Sequence, residues 1–247
     1  MKKNRFSVWH KELTDSTNED AKRAFLENGL ENGVFVADAQ TAGKGRRGRS
    51  FYSPIDGIYM SVLFQSELGP EKVVKVTTAV SVLVAEVIER VTGKSVGIKW
   101  VNDLYYRNYK VCGILTEVIP NSDPNGHPAY IVGIGINLAG TGFPDELKNI
   151  AGVLYEESVT PEIKQEIIKG IVAGFENLLE HLEHYDYISA YRARSIVLGQ
   201  EITCYEGNCV RNAKAVDIDD DGGLVIETED GGCEVLRSGE ITIRVKN

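Results

Sequence analysis

Residues 41–64 read TAGKGRRGRSFYSPIDGIYMSVLF, and the segment after the glycines decides the fold. Gly43-x-Gly45-x-x-Gly48 has the spacing of a dinucleotide fingerprint, and Gly43-x₄-Gly48-Arg49-Ser50 matches a P-loop except that arginine replaces lysine. Both motifs require a helix to begin at the last glycine, so that its first amides and its dipole face the phosphates. Here Phe51-Tyr52-Ser53-Pro54 comes next, and Gly57 to Phe64 then alternates as a strand does. Val34 to Ala39, before the loop, is also β-rich. Strand, basic glycine loop, strand is a different architecture. Lys44, Arg46, Arg47 and Arg49 stand among glycines that permit close backbone approach, which suits an anion better than the alternative of a solvated turn.

Working outward, Ser16 with Glu19 and Thr17 with Asp20 have capping-box spacing, so a helix is expected from Thr17 to Asn28 with Gly29 as its C-cap. Gly69-Pro70-Glu71 starts a second helix, whose stripe Val73, Val76, Val80, Val84, Val87 and Val91 ends at Gly93. Val96 to Trp100 and Lys110 to Val118 read as strands joined across Asn102 to Asn108, and Ala129 to Leu138 as another. Thr160-Pro161-Glu162 opens a long helix with the stripe Ile163, Ile167, Ile171, Phe175, Leu178 and Leu182. His181 and His184 near its end read as solvated residues, favoured by the helix dipole, not as ligands. From Ser195 the texture becomes short strand-like runs, from Ile202 to Val245, around the turns at 219–223 and 230–232, as in a small β-barrel. We therefore expect a domain of residues 1–192 and a C-terminal barrel of 193–247.

The chain has 247 residues, 43% of them apolar, and a formal net charge of −9. That balance is ordinary for a globular protein and argues against a general nucleic-acid binder, which needs a basic face. The N-terminal MKKNRFSVWHKEL lacks the apolar core of a signal peptide, and Val73 to Val91 is too often interrupted by polar residues to span a bilayer, so a cytoplasmic protein is expected. Cys112, Cys204, Cys209 and Cys233 form no C-x-x-C pair and read as reduced structural thiols.

Two more clusters carry chemistry. Asn102 and Asp103 stand at a strand end, where they could bind a hydroxyl, an ammonium or magnesium, or simply form an Asx-turn. Lys110 enters an apolar strand and needs an anionic partner there. Gly113, Gly133 and Gly135 interrupt apolar strands; either they make a slot for a flat, compact, mostly apolar molecule, or they mark bulges.

Asp-Ser-Thr-Asn at 15–18, Ala-Gly-Lys-Gly-Arg-Arg-Gly-Arg at 42–49, Lys-Trp-Val-Asn-Asp-Leu at 99–104, Lys-Val-Cys-Gly-Ile-Leu at 110–115 and Gly-Ile-Gly-Ile-Asn at 133–137 together resemble, in order, the signature set of the biotin protein ligases. The resemblance implies an α+β fold, with a mixed sheet flanked by helices as in class II aminoacyl-tRNA synthetases, and a C-terminal SH3-like barrel. It implies that biotin and Mg²⁺-bound ATP give biotinyl-5′-AMP, from which biotin passes to a lysine of a biotin carboxyl carrier domain of acetyl-CoA carboxylase or a related carboxylase. By the same resemblance Ser16, Thr17, Asn18 and Gln40 bind biotin, with Gly113, Gly133 and Gly135 beside it. Lys44, Gly45 and Arg46 close over ligand and phosphate. Lys110 touches both the biotin carboxylate and the α-phosphate, and with Arg46 it is the expected catalytic pair. Arg46, Arg49, Phe51, Asn102, Asp103, Lys110 and Asn137 form the nucleotide side, with magnesium near Asp103 and no metal site made by protein alone.

This sequence departs from the family pattern in three places. Lys44 stands for a frequent arginine, Phe51 for a frequent tryptophan and Val101 for a common proline. The signature begins by Asp15, so a monofunctional ligase without a DNA-binding domain is expected, with no DNA and no membrane as partner; a homodimer is compatible with it. The rival readings are a lipoate or octanoate ligase or transferase of the same fold, and a nucleic-acid module using the basic loop.

Overall fold

The computed structural model describes residues 6–121, 123, 126–140, 142–181, 186–206 and 209–244. Leu182, His184 and Val245 lie outside them, as does the side chain of His181. In chain order the elements are β1 (Val8–Thr14), α1 (Thr17–Asn28), β2 (Asn32–Gln40), β3 (Ile58–Gln65), α2 (Val73–Thr92), β4 (Gly97–Lys99), β5 (Asp103–Tyr106), β6 (Tyr109–Ile119), β7 (Ala129–Ile136), α3 (Pro161–His181) and α4 (Ile188–Arg194). After these come β8 (Glu201–Glu206), β9 (Cys209–Ile218), β10 (Leu224–Thr228), β11 (Cys233–Leu236) and β12 (Glu240–Ile243).

The first seven strands form one mixed sheet in the order β1-β2-β3-β7-β6-β5-β4, in which only β1 and β2 run parallel, joined through α1. The two-residue period of the strands sorts their side chains between two layers. Val34, Val36, Met60, Val62, Phe64, Ile114, Val132 and Ile134 face the main core, which α2 and α3 complete with Val76, Val80, Val84, Ile167, Ile171 and Phe175. Phe35, Leu63 and Ile131 face the other way, onto Ala21, Ala24 and Phe25 of α1. Of the stripes expected for the two long helices, Val76, Val80, Val84, Val87, Ile167, Ile171, Phe175 and Leu178 are buried, and Val73, Val91 and Ile163 pack half-buried against them.

α1 has the expected bounds, and Gly29 ends it in the left-handed region at φ 64°. Its expected capping boxes do not form: Ser16 is extended at the N-cap and makes no side-chain capping bond. The acidic partners are engaged elsewhere. Asp20 accepts from Lys11, Thr14 and Arg23, each at 2.7 Å, and Glu19 pairs with Lys44. Charge-assisted bonds of this kind outcompete a neutral amide donor.

β1, β5 and α4 are not expected from the sequence pattern. β1 lies at the sheet edge with Val8 and Leu13 exposed, so no one-sided apolar alternation marks it. β5 falls in the Asn102–Asn108 stretch expected to be a connection; Arg107 (φ 49°) and Asn108 (φ 69°) instead turn it tightly back into β6. The C-terminal strands form an antiparallel sheet in the order β11-β10-β9-β8-β12. Among the described residues no pairing joins β11 to β12, so this SH3-like unit is an open sheet and not a closed barrel. No described helix is long and apolar enough to cross a membrane.

Asp20 ties β1 to α1. Burial opposes its ionisation, but the bonds from Lys11, Arg23 and Thr14 outweigh burial and hold its pKa below the ordinary carboxylate value. A depressed folded pKa adds stability above the unfolded value, and that stability is lost as pH falls through the folded one. Asp20→Asn should therefore lower unfolding stability by about 2 kcal/mol at neutral pH. In urea titrations the gap to wild type should close as the pH drops below the carboxylate range.

Candidate active site

α1 covers only one end of its sheet face. Beyond it a row runs directly across the strands from Ala37 through Tyr59, Gly135, Gly113 and Asp103 to Lys99. The adjacent row is Phe35, Ser61, Gly133 and Leu115. The missing side chains at three of these positions lower the floor. A Cβ on Gly135 would come within 2.6 Å of the Phe51 ring, one on Gly113 within 3.1 Å of the same ring, and one on Gly133 would overlap the Asn18 amide. The β6–β7 and β3–β7 registers run without a shift here, so the glycines admit close approach and do not mark bulges.

Over this floor lies a cleft of about 760 Å³. Every residue nominated from the sequence lines it: Ser16, Thr17, Asn18, Gln40, Lys44, Gly45, Arg46, Arg49, Phe51, Asn102, Asp103, Lys110, Gly113, Gly133, Gly135 and Asn137.

One end is neutral and polar. Ser16, Thr17 and Asn18 are buried at the first turn of α1, where the helix dipole adds partial positive charge. The Thr17 amide donates to Gln40 Oε1 at 2.9 Å, and Gln40 Nε2 donates to Ser53 Oγ at 2.9 Å. Behind them the Ser61 hydroxyl lies 2.7 Å from Thr17 Oγ1 and 2.6 Å from Asn18 Oδ1.

The middle of the cleft is roofed by the glycine loop, which forms a tight hairpin. Lys44 bridges to Ser50, Gly45 N donates to Arg49 O at 2.7 Å, and Arg47 (φ 56°) and Gly48 (φ 74°) make the bend. The loop leans on the C-terminal sheet. Arg46 Nη2 donates to Gly239 O at 3.1 Å, Arg47 Nη2 to Tyr205 O at 3.4 Å, and Arg49 pairs with Glu240 at 2.6 Å. Burial pushes the pKa of Arg46 down, yet a guanidinium stays charged at any working pH. Lys44 is shifted the other way by its bond to Glu19.

The far end is charged. Lys110 meets its required anion in Asp103, with Nζ 2.6 Å from Oδ1, and its Nζ stands 3.4 Å from where a Gly113 Cβ would be. This charge-assisted contact is what compensates the carboxylate and the ammonium at the edge of the apolar strand. Asn102 does not form a solvated turn: it is buried, donates to Ile114 O at 2.7 Å and accepts from Arg46 at 3.1 Å. Asn137 Nδ2 reaches Lys110 O at 3.4 Å. The peptide bond between Trp100 and Val101 is cis. Cys112, buried beneath, has its thiol pKa pushed up by burial and is inert.

Sequence reasoning passes over several contributors. Lys99, whose pKa is lowered by burial against the pull of Asp103, lines the cleft at the start of the Lys-Trp-Val-Asn-Asp-Leu motif. Ser53, Ser61 and Glu117 support the polar end from inside strands or loops with no motif of their own. Phe143, Leu147 and Ile150, and Tyr205, Glu240 and Thr242 of the C-terminal sheet, reach the cleft only through the tertiary fold.

Residues 11–137 match the family described as biotin/lipoate A/B protein ligase, and residues 197–244 match the biotin protein ligase C-terminal domain. The chain is 30% identical over 233 residues to the bifunctional ligase/repressor BirA of Bacillus subtilis, covering 91% of this chain and 70% of that protein. It is 29% identical over 245 residues to the biotin–[acetyl-CoA-carboxylase] ligase of Paracoccus denitrificans, covering 92% and 97% respectively. The biotin protein ligase of Aquifex aeolicus, solved with biotin and ATP, superposes with a TM-score of 0.77 at 29% identity over 97% of this chain and 99% of that one. With its floor of glycines, its cationic loop and both matched domains, the chain belongs to the biotin/lipoate A/B protein ligase family and is a biotin protein ligase.

Proposed function

We propose that the cleft joins biotin to ATP and passes the biotinyl group to a lysine of a carboxylase carrier domain. The observation that carries this reading is the placement of Lys110. It stands at the charged end, suited to a nucleotide, with its Nζ beside Gly113 on the same floor that continues to the neutral hydrogen-bonding end, suited to a ureido ring. Ser16, Thr17, Asn18 and Gln40 would hold the ring over the floor at Gly113, Gly133 and Gly135. Arg49, Phe51, Asn102, Asp103 and Asn137 would hold the nucleotide, with Asn102 acting in part by orienting Arg46.

The chemistry needs charge neutralisation and alignment, not a protein nucleophile. A carboxylate oxygen of biotin forms a bond to the α-phosphorus as the bond to pyrophosphate breaks. Lys110 and Arg46, which both line the cleft, would neutralise the two anions as they meet, and Lys44 to Arg46 would cover the mixed anhydride against water. The carrier lysine amine then attacks the acyl carbonyl, AMP departs, and an amide remains. Magnesium bound to the triphosphate supplies further charge neutralisation. The carboxylate of Asp103 lines the cleft and is the hard oxygen donor that fits such an ion, while no cluster of three or more metal-ligating residues exists among the described ones.

Three further readings belong to this proposal. The catalytic unit ends near residue 193, supported by the C-terminal match from 197. The partner is a biotin carboxyl carrier domain and not DNA, supported by the ligase named for acetyl-CoA carboxylase and by the net charge of −9. The enzyme works in the cytoplasm, supported by its use of ATP and by thiols outside disulfides, and the open β1 edge with exposed Val8, Trp9 and Leu13 supports a homodimer.

Purified carrier domain, ATP and labelled biotin should give ATP-dependent label on the carrier; absence of label with folded enzyme overturns the proposal. Lys110→Ala should cut biotin-dependent ATP–pyrophosphate exchange by about 100- to 1000-fold, and near-normal exchange would remove Lys110 from its role. A polar end left unpaired by a linear acyl chain should discriminate by on the order of 10⁴-fold. The ratio of kcat/KM for biotin over lipoate in the same exchange assay checks this, and a ratio near one would point to a lipoate ligase.

A further inference from the structure

Behind the neutral polar end, outside the lining of the cleft, stands a carboxylate to which the proposed roles give no task. Glu117 on β6 accepts from Asn18 Nδ2 at 2.7 Å. Asn18 is 4% exposed, and Ser61 behind it is fully buried. A carboxylate accepts and does not donate, so this contact forces the Asn18 amide to turn its NH₂ group toward Glu117 and its Oδ1 toward Ser61. Asn18 Oδ1 is itself only an acceptor, so the single Ser61 hydroxyl hydrogen goes to it across the 2.6 Å contact. The 2.7 Å contact between Ser61 Oγ and Thr17 Oγ1 must then be filled by the Thr17 hydrogen. The longer 3.3 Å approach of Thr17 Oγ1 to Gln40 Oε1 is left without a proton, and Gln40 Oε1 is already served by the Thr17 amide.

We propose that Glu117 is a positioning residue that sets the direction of this hydrogen-bond chain, so that Thr17 Oγ1 faces the cleft as an acceptor and Asn18 keeps one Nδ2 hydrogen to donate. Those two groups complement a cyclic urea, which offers an N–H beside a carbonyl oxygen. The inference rests on the reading of the cleft as a biotin site and adds the charge that fixes its polarity. Without Glu117, the Asn18 amide is free to turn over, the chain can run in either direction, and Thr17 can offer a hydrogen where the ligand also offers one.

The test is a cycle of Asn18→Ala, Glu117→Ala and the double variant, with KM for biotin and for ATP read from pyrophosphate exchange. Glu117→Ala should raise KM for biotin on the order of tenfold while KM for ATP moves less than about twofold. In the Asn18→Ala background the same change should add almost nothing, because Glu117 acts through Asn18. Glu117→Gln, which keeps size and one acceptor, should fall between and guards against misfolding of the alanine variant. An unmoved biotin KM, equal rises for both substrates, or full additivity with Asn18→Ala would each overturn the inference. Absence of biotin-dependent exchange in the wild type would instead overturn the assignment of the cleft itself.

Discussion

The two-residue period of the central strands lets a single sheet serve as both the core of this protein and the floor of its cleft. Residues such as Met60, Val62, Ile134 and Ile114 commit one face to α2 and α3. Their neighbours in sequence, Ser61, Gly133, Gly135 and Gly113, are thereby committed to the other face. A slip of one residue in β3, β6 or β7 would bury the polar row and expose the core row. The core therefore fixes the register that aligns the site, and the stability of the fold and the geometry of the cleft come from the same strand pairing.

Charge is distributed along this floor with little redundancy. Asp103 neutralises Lys110, Arg46 is held by Asn102 and a backbone carbonyl, and Arg49 is paired with Glu240. The cationic loop thus spans two sheets. Trp100, whose indole donates at 3.0 Å to Gly222 O in the turn between β9 and β10, is a second link from the end of β4 to the C-terminal sheet. The C-terminal sheet is part of the wall of the cleft, which explains why Tyr205, Glu240 and Thr242 border a site whose charged residues lie far earlier in the chain.

Much of this is legible locally. The stripes of α2 and α3 and the bounds of α1 come from helical period and from Gly29 and Gly93, since burial of one face is a property of the segment itself. The strand after the glycine loop excludes the two nucleotide folds. Lys110 is readable as a cation in need of an anion because a lone lysine among apolar neighbours is costly wherever the chain places it. β1 and β5 are not legible, because an exposed edge strand and a four-residue strand show too little alternation, and their pairing is made by partners distant in sequence or by a two-residue turn. The capping boxes at Ser16 and Thr17 mislead because Glu19 and Asp20 find stronger charged partners in Lys44 and Lys11.

By itself, then, the sequence determined the residue types of the site and the elements that carry them: glycines where strands must be bare, cations in a loop that no helix continues, and hydroxyl and amide groups at a helix start. Only the tertiary structure decided which of these meet. Glu117 reaches Asn18 across 99 positions, Arg46 reaches Gly239 across 193, and Asp103 meets Lys110 through a hairpin. Local propensity depends on a few neighbouring residues, whereas the direction of a buried hydrogen-bond chain and the partner of a buried charge depend on strand register and on packing between layers, which no short window contains.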